Sequence, residues 1–148
     1  MEQVKAVSPV SRLMLAVPPR HRQVVAEFLR FGVVGTIGFG FDTGTVYGLS
    51  RAIGLYGAGM AAYFVASSVN WVLNRLWTFR HRTHAAAHVQ WARFLAVNLV
   101  GFVLNRGAYV ALIAEASLAR HYPVLAVAAG SVSGFAVNFL LSRRIVFR

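Results

Sequence analysis

The chain of 148 residues has no cysteine and few acidic side chains. Four Asp and Glu stand against fifteen Lys and Arg, and charged residues make up 13% of the sequence. The absence of cysteine excludes disulfides and sites in which thiolates hold a metal ion. Soluble domains carry about a quarter charged residues, so the low charged fraction favours a protein that resides in lipid.

Four long hydrophobic runs account for most of the sequence. They cover residues 31–50, 55–73, 94–114 and 122–141, and each contains at most one charged side chain. Each run is close to the ~20 residues that cross ~30 Å of hydrocarbon as a helix. None has the polar face that a helix of a soluble bundle needs. The sequence therefore predicts an all-α integral membrane protein with four transmembrane helices.

The basic residues are distributed unevenly between the two sides of the runs. Five precede the first run, four lie between the second and third, and three follow the fourth, whereas only Arg51 and Arg120 fall on the other side. Because Lys and Arg concentrate on the cytoplasmic side, both termini are predicted to be cytoplasmic. A basic rim there suits anionic membrane lipids rather than nucleic acid. The apolar stretch 13–17 is too short for a signal peptide, which favours the plasma membrane.

The second half of the chain repeats the first. Residues 70–80 and 138–148 share Asn, Leu, Arg, Phe and a final Arg at an offset of 68, and the first and third runs match at an offset of 63. Two helices per repeat return the chain to the same side, so we predict parallel repeats about an axis along the membrane normal. The expected organisation is a basic cytoplasmic tail over 1–27 and a membrane domain over 28–148, with repeats at about 28–80 and 91–148.

Asp42 and Arg106 are the only formal charges well inside the runs. At 1.5 Å per residue both lie roughly 17–18 Å from the inner ends of their helices. A charge at that depth costs at least ~2.5–3.5 kcal/mol and usually marks function. We therefore expect the two to form an ion pair, with Arg106 meeting an anionic group in transit and Asp42 holding it at rest. A pair that only fixes helix packing is the alternative.

Two arginines occupy equivalent positions at the inner ends of the second and fourth runs. Arg75 and Arg143 each follow a small polar residue, Asn74 or Ser142, and Arg144 adds a charge in the second repeat only. Guanidinium groups match phosphate oxygens in bidentate fashion, so these three arginines are candidate phosphate ligands. The alternative is that they are ordinary arginines at the membrane boundary, whose apolar stems lie along lipid while their charged groups reach water.

Polar and aromatic residues flank these arginines. Asn70 and Asn138 lie five residues deeper, where an amide can bond sugar hydroxyls or bond across helices for ~0.6–2 kcal/mol, and both roles stay open. Trp77, Phe79 and Phe147 lie where aromatic belts are expected, so we predict that they anchor the helices at the interface.

The sequence has none of the usual arrangements of catalytic residues. It contains no glycine-rich phosphate loop, no Ser-His-Asp arrangement and no paired carboxylates. His81, His84 and His88 lack the Cys or acidic partners that favour a metal site. We therefore expect no enzymatic activity, no metal and no cofactor.

Three motifs together resemble the GtrA-like family of small four-span membrane proteins. They are the opening Arg30-Phe31-Gly-Val-Val-Gly with Asp42, the block Asn70-x-x-x-Asn74-Arg75-x-Trp-Thr-Phe, and the closing Asn138-Phe-x-x-Ser-Arg143-x-x-Val-Phe. The resemblance covers about residues 28–148. It implies a role in cell-surface polysaccharide synthesis, either by movement of polyprenyl-phosphate-linked sugars across the bacterial inner membrane or by assistance to the glycosyltransferases that use them. The family's recurring polar positions fall on Asp42, Asn70, Asn74, Arg75, Asn138 and Arg143.

The predicted function is therefore the translocation of a polyprenyl-phosphate sugar. Arg75 and Arg143 would hold the phosphate, the asparagines would contact the sugar, and Arg106 would offset the phosphate charge at mid-depth. One alternative is a non-transporting adaptor that recruits or orients a membrane glycosyltransferase. Another is a small multidrug-type cation exporter with Asp42 as its carboxylate, which Arg106 at equal depth disfavours. Four short helices enclose little space, which favours a homodimer.

Overall fold

A computed structural model describes residues 17–82 and 85–148 of the chain. Over these two ranges the secondary structure is entirely helical, with no strand, which confirms the all-α prediction. The elements are the helices Pro19–Leu73, Ala87–Glu115, Ser117–His121 and Pro123–Leu141, with the π-helical turns Asn74–Thr78 and Ser142–Val146.

The longest helix, Pro19–Leu73, is broken at Gly54. This glycine has φ 72° and ψ 170°, a backbone conformation that glycine adopts without steric cost. The chain reverses there, since Gly38 before the break packs against Asn70 after it. We call the two arms α1 and α2 and number the later helices α3, α4 and α5. Their ranges are 19–53, 55–73, Ala87–Glu115, Ser117–His121 and Pro123–Leu141.

The helices have the length and composition of membrane spans. The stretches Pro19–Thr78, Ala87–Glu115 and Pro123–Val146 are each long and apolar enough to cross a bilayer. Many of their large apolar side chains are exposed on the outside of the bundle, such as Phe39 and Val124. A continuous apolar exterior of this kind is stable in lipid and a liability in water. The chain is therefore an all-helical membrane protein.

The predicted tail and the first helix overlap. Residues 1–16 of the predicted tail lie outside the described residues, and from Pro19 onward the chain is part of α1. Proline is favourable in the first turn of a helix because its missing N–H would have no partner there. Glu27, which the prediction assigned to the tail, is buried.

An aromatic core lies at the end of the bundle where α1 and α3 begin and both π turns end, which we call the basic end. It contains Phe31, Phe79, Phe94, Phe139 and Phe147. The rings of Phe79 and Phe147, at equivalent positions of the two repeats, stack with centroids 4.6 Å apart and planes at 18°. Aromatic pairs of this kind add to the free energy of apolar burial.

The prediction that Phe79 and Phe147 anchor the helices at the membrane surface is wrong. Their exposed fractions are 1% and 0%, whereas Trp77 is 40% exposed and lies 6.0 Å from the guanidinium of Arg30. A π turn takes an extra residue per turn, so the residues after it are rotated relative to an α-helical register. We attribute the inward direction of the two Phe rings to this rotation.

Glycines allow the helices of each half to approach closely. A Cβ at Gly38 would overlap the amide of Asn70, and a Cβ at Gly101 would overlap the amide of Asn138. In the second half a Cβ at Gly134 would also lie 2.8 Å from the carbonyl oxygen of Gly101. Small residues permit such backbone contact in lipid, where packing is a main source of helix association.

Gly134→Ala is expected to destabilise the protein by about 1–3 kcal/mol, because the new methyl group meets backbone atoms that cannot rotate away. Gly44→Ala is the matched control, since no neighbouring atom of the described residues lies within 4 Å of its Cβ position. That substitution should leave stability unchanged or raise it slightly through helix propensity. Thermal unfolding in detergent, followed by circular dichroism, measures both. Equal melting temperatures for the two variants would contradict this account of the packing.

Candidate functional site

Four asparagines converge on one cavity near the basic end. Asn70, Asn74, Asn98 and Asn138 line an internal space of about 140 Å³, together with Phe31, Gly35, Phe94 and Phe135. Three of the four asparagines are predicted site residues, so the fold brings these three together. We call this space the asparagine cavity.

Three of the asparagines that line the asparagine cavity carry hydrogen-bond acceptors that lack a donor in the described part of the chain. The Oδ1 atoms of Asn70, Asn74 and Asn138 are buried and have no hydrogen-bond partner within residues 17–82 and 85–148. The amide of Asn138 donates to Asn98 Oδ1 at 3.4 Å, and the amide of Asn98 donates to the carbonyl of Phe94 at 2.9 Å. Buried polar atoms are normally paired because leaving them unpaired is costly. The hydroxyl groups of a ligand are the kind of donor that these acceptors lack.

A larger cleft adjoins the asparagine cavity. It has a volume of about 600 Å³, lies between α1, α3 and α5, and shares Gly35, Asn98, Phe135 and Asn138 with the cavity. Asn105 and Phe102, further along α3, also line it. The cleft therefore continues the polar lining of the cavity away from the basic end.

The π turns shape the ends of α2 and α5 beside the cavity. The N–H of Phe79 donates to the carbonyl of Asn74 at 2.8 Å, and the N–H of Phe147 donates to Ser142 at 2.9 Å. These i to i+5 bonds widen the helix at Asn74 and Ser142. Asn74 Oδ1 and Ser142 Oγ are both buried, and neither has a hydrogen-bond partner among the residues that the structure describes. Such π turns are frequent at functional sites.

Arg143 belongs to an ion-pair cluster at the basic end. Its Nε donates to Glu27 Oε2 at 2.7 Å, while Arg82 donates to both carboxylate oxygens of Glu27 at 3.1 Å. Arg82 also bonds the carbonyl oxygens of Arg143 and Phe147. The side chain of Glu27 is 4% exposed and that of Arg143 is 27% exposed. We call Glu27, Arg82 and Arg143 the Glu27 cluster.

Arg75 has a neutral partner instead. Its Nη1 donates to Gln90 Oε1 at 2.5 Å and to the carbonyl of Ala85 at 3.3 Å, and its guanidinium lies 5.8 Å from the ring of Trp71. Gln90 is fully buried, accepts a bond from Trp71 Nε1 at 3.2 Å and donates to the carbonyl of Val146 at 3.2 Å. We call Arg75, Trp71 and Gln90 the Gln90 cluster.

The predicted ion pair between Asp42 and Arg106 is wrong. In the ranges 17–82 and 85–148 the two residues form no ion pair. Arg106 is exposed and lies 5.7 Å from the ring of Phe102 on its own helix, while Asp42 lines a separate cleft with Tyr47 and Leu55. Equal depth does not imply contact, because the direction in which a side chain leaves its helix is set independently. Their roles in substrate binding stay predictions.

Arg144 is exposed and makes no hydrogen bond or ion pair within the described part of the chain. Its role in phosphate binding also stays a prediction. Arg75 and Arg143, by contrast, donate hydrogen bonds to Gln90 and Glu27 within the protein.

Sequence reasoning missed Glu27, Gln90, Arg82 and Asn98. Glu27 and Gln90 stand at the offset of 63 residues that relates the first and third runs, each three residues before an Arg-Phe pair. Extending the repeat by one turn would have found both. Asn98 could have been found as one of the two amides in the third run, one turn after Phe94. Nothing in the sequence relates Arg82 to Glu27, since the contact depends on the fold.

Residues 30–147 match the GtrA/DPMS transmembrane domain. The matched range includes the whole asparagine cavity and the whole Gln90 cluster, and of the Glu27 cluster it omits only Glu27. None of the curated protein sequences compared with the chain matches it. The family match extends over most of the 148 residues and confirms the resemblance seen in the motifs. The chain belongs to the GtrA/DPMS transmembrane-domain family.

Proposed function

We propose that this protein moves a polyprenyl-phosphate-linked sugar across the bacterial inner membrane. The observation that carries the proposal is the asparagine cavity, in which buried amide oxygens without donors lie beside an arginine-lined bundle end. Sugar hydroxyls supply donors, and the phosphate supplies the anion that arginines bind. Membership of the GtrA/DPMS family agrees with this substrate class.

The topology of the proposal has four spans, formed by α1, α2, α3 and α5. The reversal at Gly54 supports the separation of α1 from α2. The ion pair between Glu27 and Arg143 joins the start of α1 to the end of α5 at the basic end, which supports parallel repeats with both termini on one side. That side is cytoplasmic in the proposal because the basic residues concentrate there.

The head group binds at the basic end before it crosses. Arg75 Nε and Nη2 and both terminal nitrogens of Arg143 make no hydrogen bond to any described residue, so they are available to phosphate oxygens. Asn70, Asn74 and Asn138 accept bonds from sugar hydroxyls in the cavity. The prenyl chain stays in lipid, and therefore only the polar head needs a path.

The cleft between α1, α3 and α5 supplies that path in the proposal. It leads from the asparagine cavity past Phe102 to Asn105. Arg106 lies over the ring of Phe102 and offsets the phosphate charge at mid-depth, where an unpaired anion would be costly. The head group moves down its own concentration gradient, which persists because the sugar is consumed on the outer side. The protein performs no chemical step on the substrate.

Asn70→Ala and Asn138→Ala are each expected to slow head-group translocation about tenfold. The loss corresponds to about 1.4 kcal/mol, the size of one hydrogen bond to the sugar. The measurement is the accessibility of a polyprenyl-phosphate sugar on both leaflets of liposomes that contain only this protein. Val72→Ala, an exposed position on the same helix as Asn70, is the control and should move the head group at the wild-type rate.

If the wild-type protein moves no head group in these liposomes, translocation by this chain alone is wrong. A non-transporting adaptor would then be the favoured function. Co-purification with a membrane glycosyltransferase would test that role. Normal rates for both asparagine variants would instead remove the sugar-binding role of the cavity.

Arg106→Ala is expected to reduce translocation by at least about tenfold without preventing insertion, because the phosphate then meets no cation at mid-depth. Arg51→Ala is the matched control, since Arg51 is also an exposed arginine but lies beside the break at Gly54. Protein yield in the membrane fraction reports insertion, and the liposome assay reports rate. An Arg106 variant as active as the Arg51 variant would contradict this role.

A further inference from the structure

The two repeats differ in the charge that faces their arginine at the basic end. Arg143 faces the carboxylate of Glu27, and Arg75 faces the amide of Gln90. Positions 27 and 90 are equivalent in the repeat and both side chains are buried, with exposed fractions of 3% and 0%. The equivalent position therefore holds a negatively charged carboxylate in the first repeat and a neutral amide in the second.

We propose that the repeats have divided their tasks, so that Arg75 is the principal phosphate-binding residue and Gln90 is the positioning residue that keeps it available. The Glu27 cluster is the structural counterpart. The inference rests on the proposed function and refines it, since it assigns the lipid-linked phosphate group mainly to one of two equivalent arginines. Because Gln90 leaves the charge of Arg75 uncompensated, it makes this site specific for an anion.

The Glu27 cluster is already electrostatically satisfied. One buried carboxylate receives hydrogen bonds from Arg82 and Arg143, and a further bond from Gln23 at 3.2 Å. A phosphate that drew Arg143 away would leave a buried carboxylate short of a cation, which is a costly arrangement. Arg82 also donates to the carbonyls of Arg143, within the second π turn, and of Phe147, directly after it. The cluster therefore favours its present geometry over binding a second anion.

The Gln90 cluster orients its arginine without neutralising it. Gln90 Oε1 and the carbonyl of Ala85 accept bonds from Arg75 Nη1, and Arg75 forms no ion pair with any acid between 17 and 82 or between 85 and 148. The ring of Trp71 supports the guanidinium from one side. Arg75 is thus held in place while its charge remains uncompensated, which is the state that a phosphate binds most tightly.

A glutamate at position 90 would repeat the arrangement of the first repeat. It would accept the bonds from Arg75 and Trp71 but would add a negative charge beside the guanidinium. It would also lose the donor that Gln90 Nε2 offers to the carbonyl of Val146 at 3.2 Å. The amide thus serves both the arginine and the second π turn, which a carboxylate cannot do.

The first experiment measures binding of a short-chain polyprenyl phosphate without sugar to the full chain in nanodiscs. Gln90→Glu is expected to weaken this binding by about tenfold or more, and the remaining binding should depend less on salt. Ala92→Glu is the matched control, because it adds the same charge two residues later on an exposed face of α3. That control should change the affinity by less than about twofold.

The second experiment removes the negative charge at position 27 instead of adding one at position 90. Glu27→Gln frees Arg143 and Arg82 from their carboxylate, so it is expected to tighten phosphate binding about threefold or more while lowering the melting temperature. If Glu27 had only a structural role, Glu27→Gln would lower both the affinity for the phosphate and the melting temperature. This variant also keeps the inference testable if Gln90→Glu does not fold.

The double variant Glu27→Gln with Gln90→Glu exchanges the two side chains between the repeats at constant net charge. It should recover binding relative to Gln90→Glu alone, with the phosphate now on Arg143. Arg143→Ala should then abolish binding in the exchanged background, and Arg75→Ala should abolish it in the wild-type background.

The outcomes separate this inference from the proposed function. A wild-type protein that binds no polyprenyl phosphate would overturn both. Wild-type binding that a folded Gln90→Glu variant retains in full, or that Glu27→Gln weakens, would overturn only the division of tasks. Neutral polyprenol should not bind. Inorganic phosphate that binds as tightly as the lipid would identify a free anion as the ligand and would overturn the assignment to a lipid head group.

Discussion

The basic end depends on two arginine contacts that cross from one repeat to the other. Arg143 of the second repeat binds Glu27 of the first, and Arg75 of the first binds Gln90 of the second. Helices in lipid gain little from apolar contact with one another, so polar bonds and close packing carry their association. The stacked rings of Phe79 and Phe147, each directly after a π turn, lie in the same region and complete the junction between the halves.

The asparagine cavity follows from that junction and from the glycines beside it. Gly38 and Gly101 leave no room for a Cβ, and the amides of Asn70 and Asn138 occupy the space beside them. The π turns then widen the helix ends around the cavity. A side chain at either glycine would displace an asparagine, so the backbone contact and the polar lining depend on each other. Polar atoms are thereby held in an otherwise apolar bundle, where their unpaired acceptors suit a hydroxylated ligand.

Sequence reasoning succeeded for some site residues and failed for others for identifiable reasons. The convergence of Asn70 and Asn138 agrees with the duplicated motif, because these two residues occupy equivalent positions in the repeats. Asn74 lies one helical turn after Asn70 and therefore lines the same cavity. Similar predicted depth suggested an ion pair between Asp42 and Arg106, which the fold does not form in the described residues. The burial of Phe79 and Phe147 was also missed, because a change from α-helix to π-helix leaves no simple trace in hydrophobic periodicity.

By itself, the sequence determined that the chain is a helical membrane protein, that its halves are related, and that its charge lies mostly at one end. Those properties depend on the length, composition and order of hydrophobic runs, which are read along the chain. Only the tertiary structure decided which side chains meet Arg75 and Arg143 and which asparagines share a cavity. The reason is physical: the direction of a side chain depends on the rotation of its helix and on the neighbouring helix, and in an almost wholly apolar helix few residues indicate that rotation.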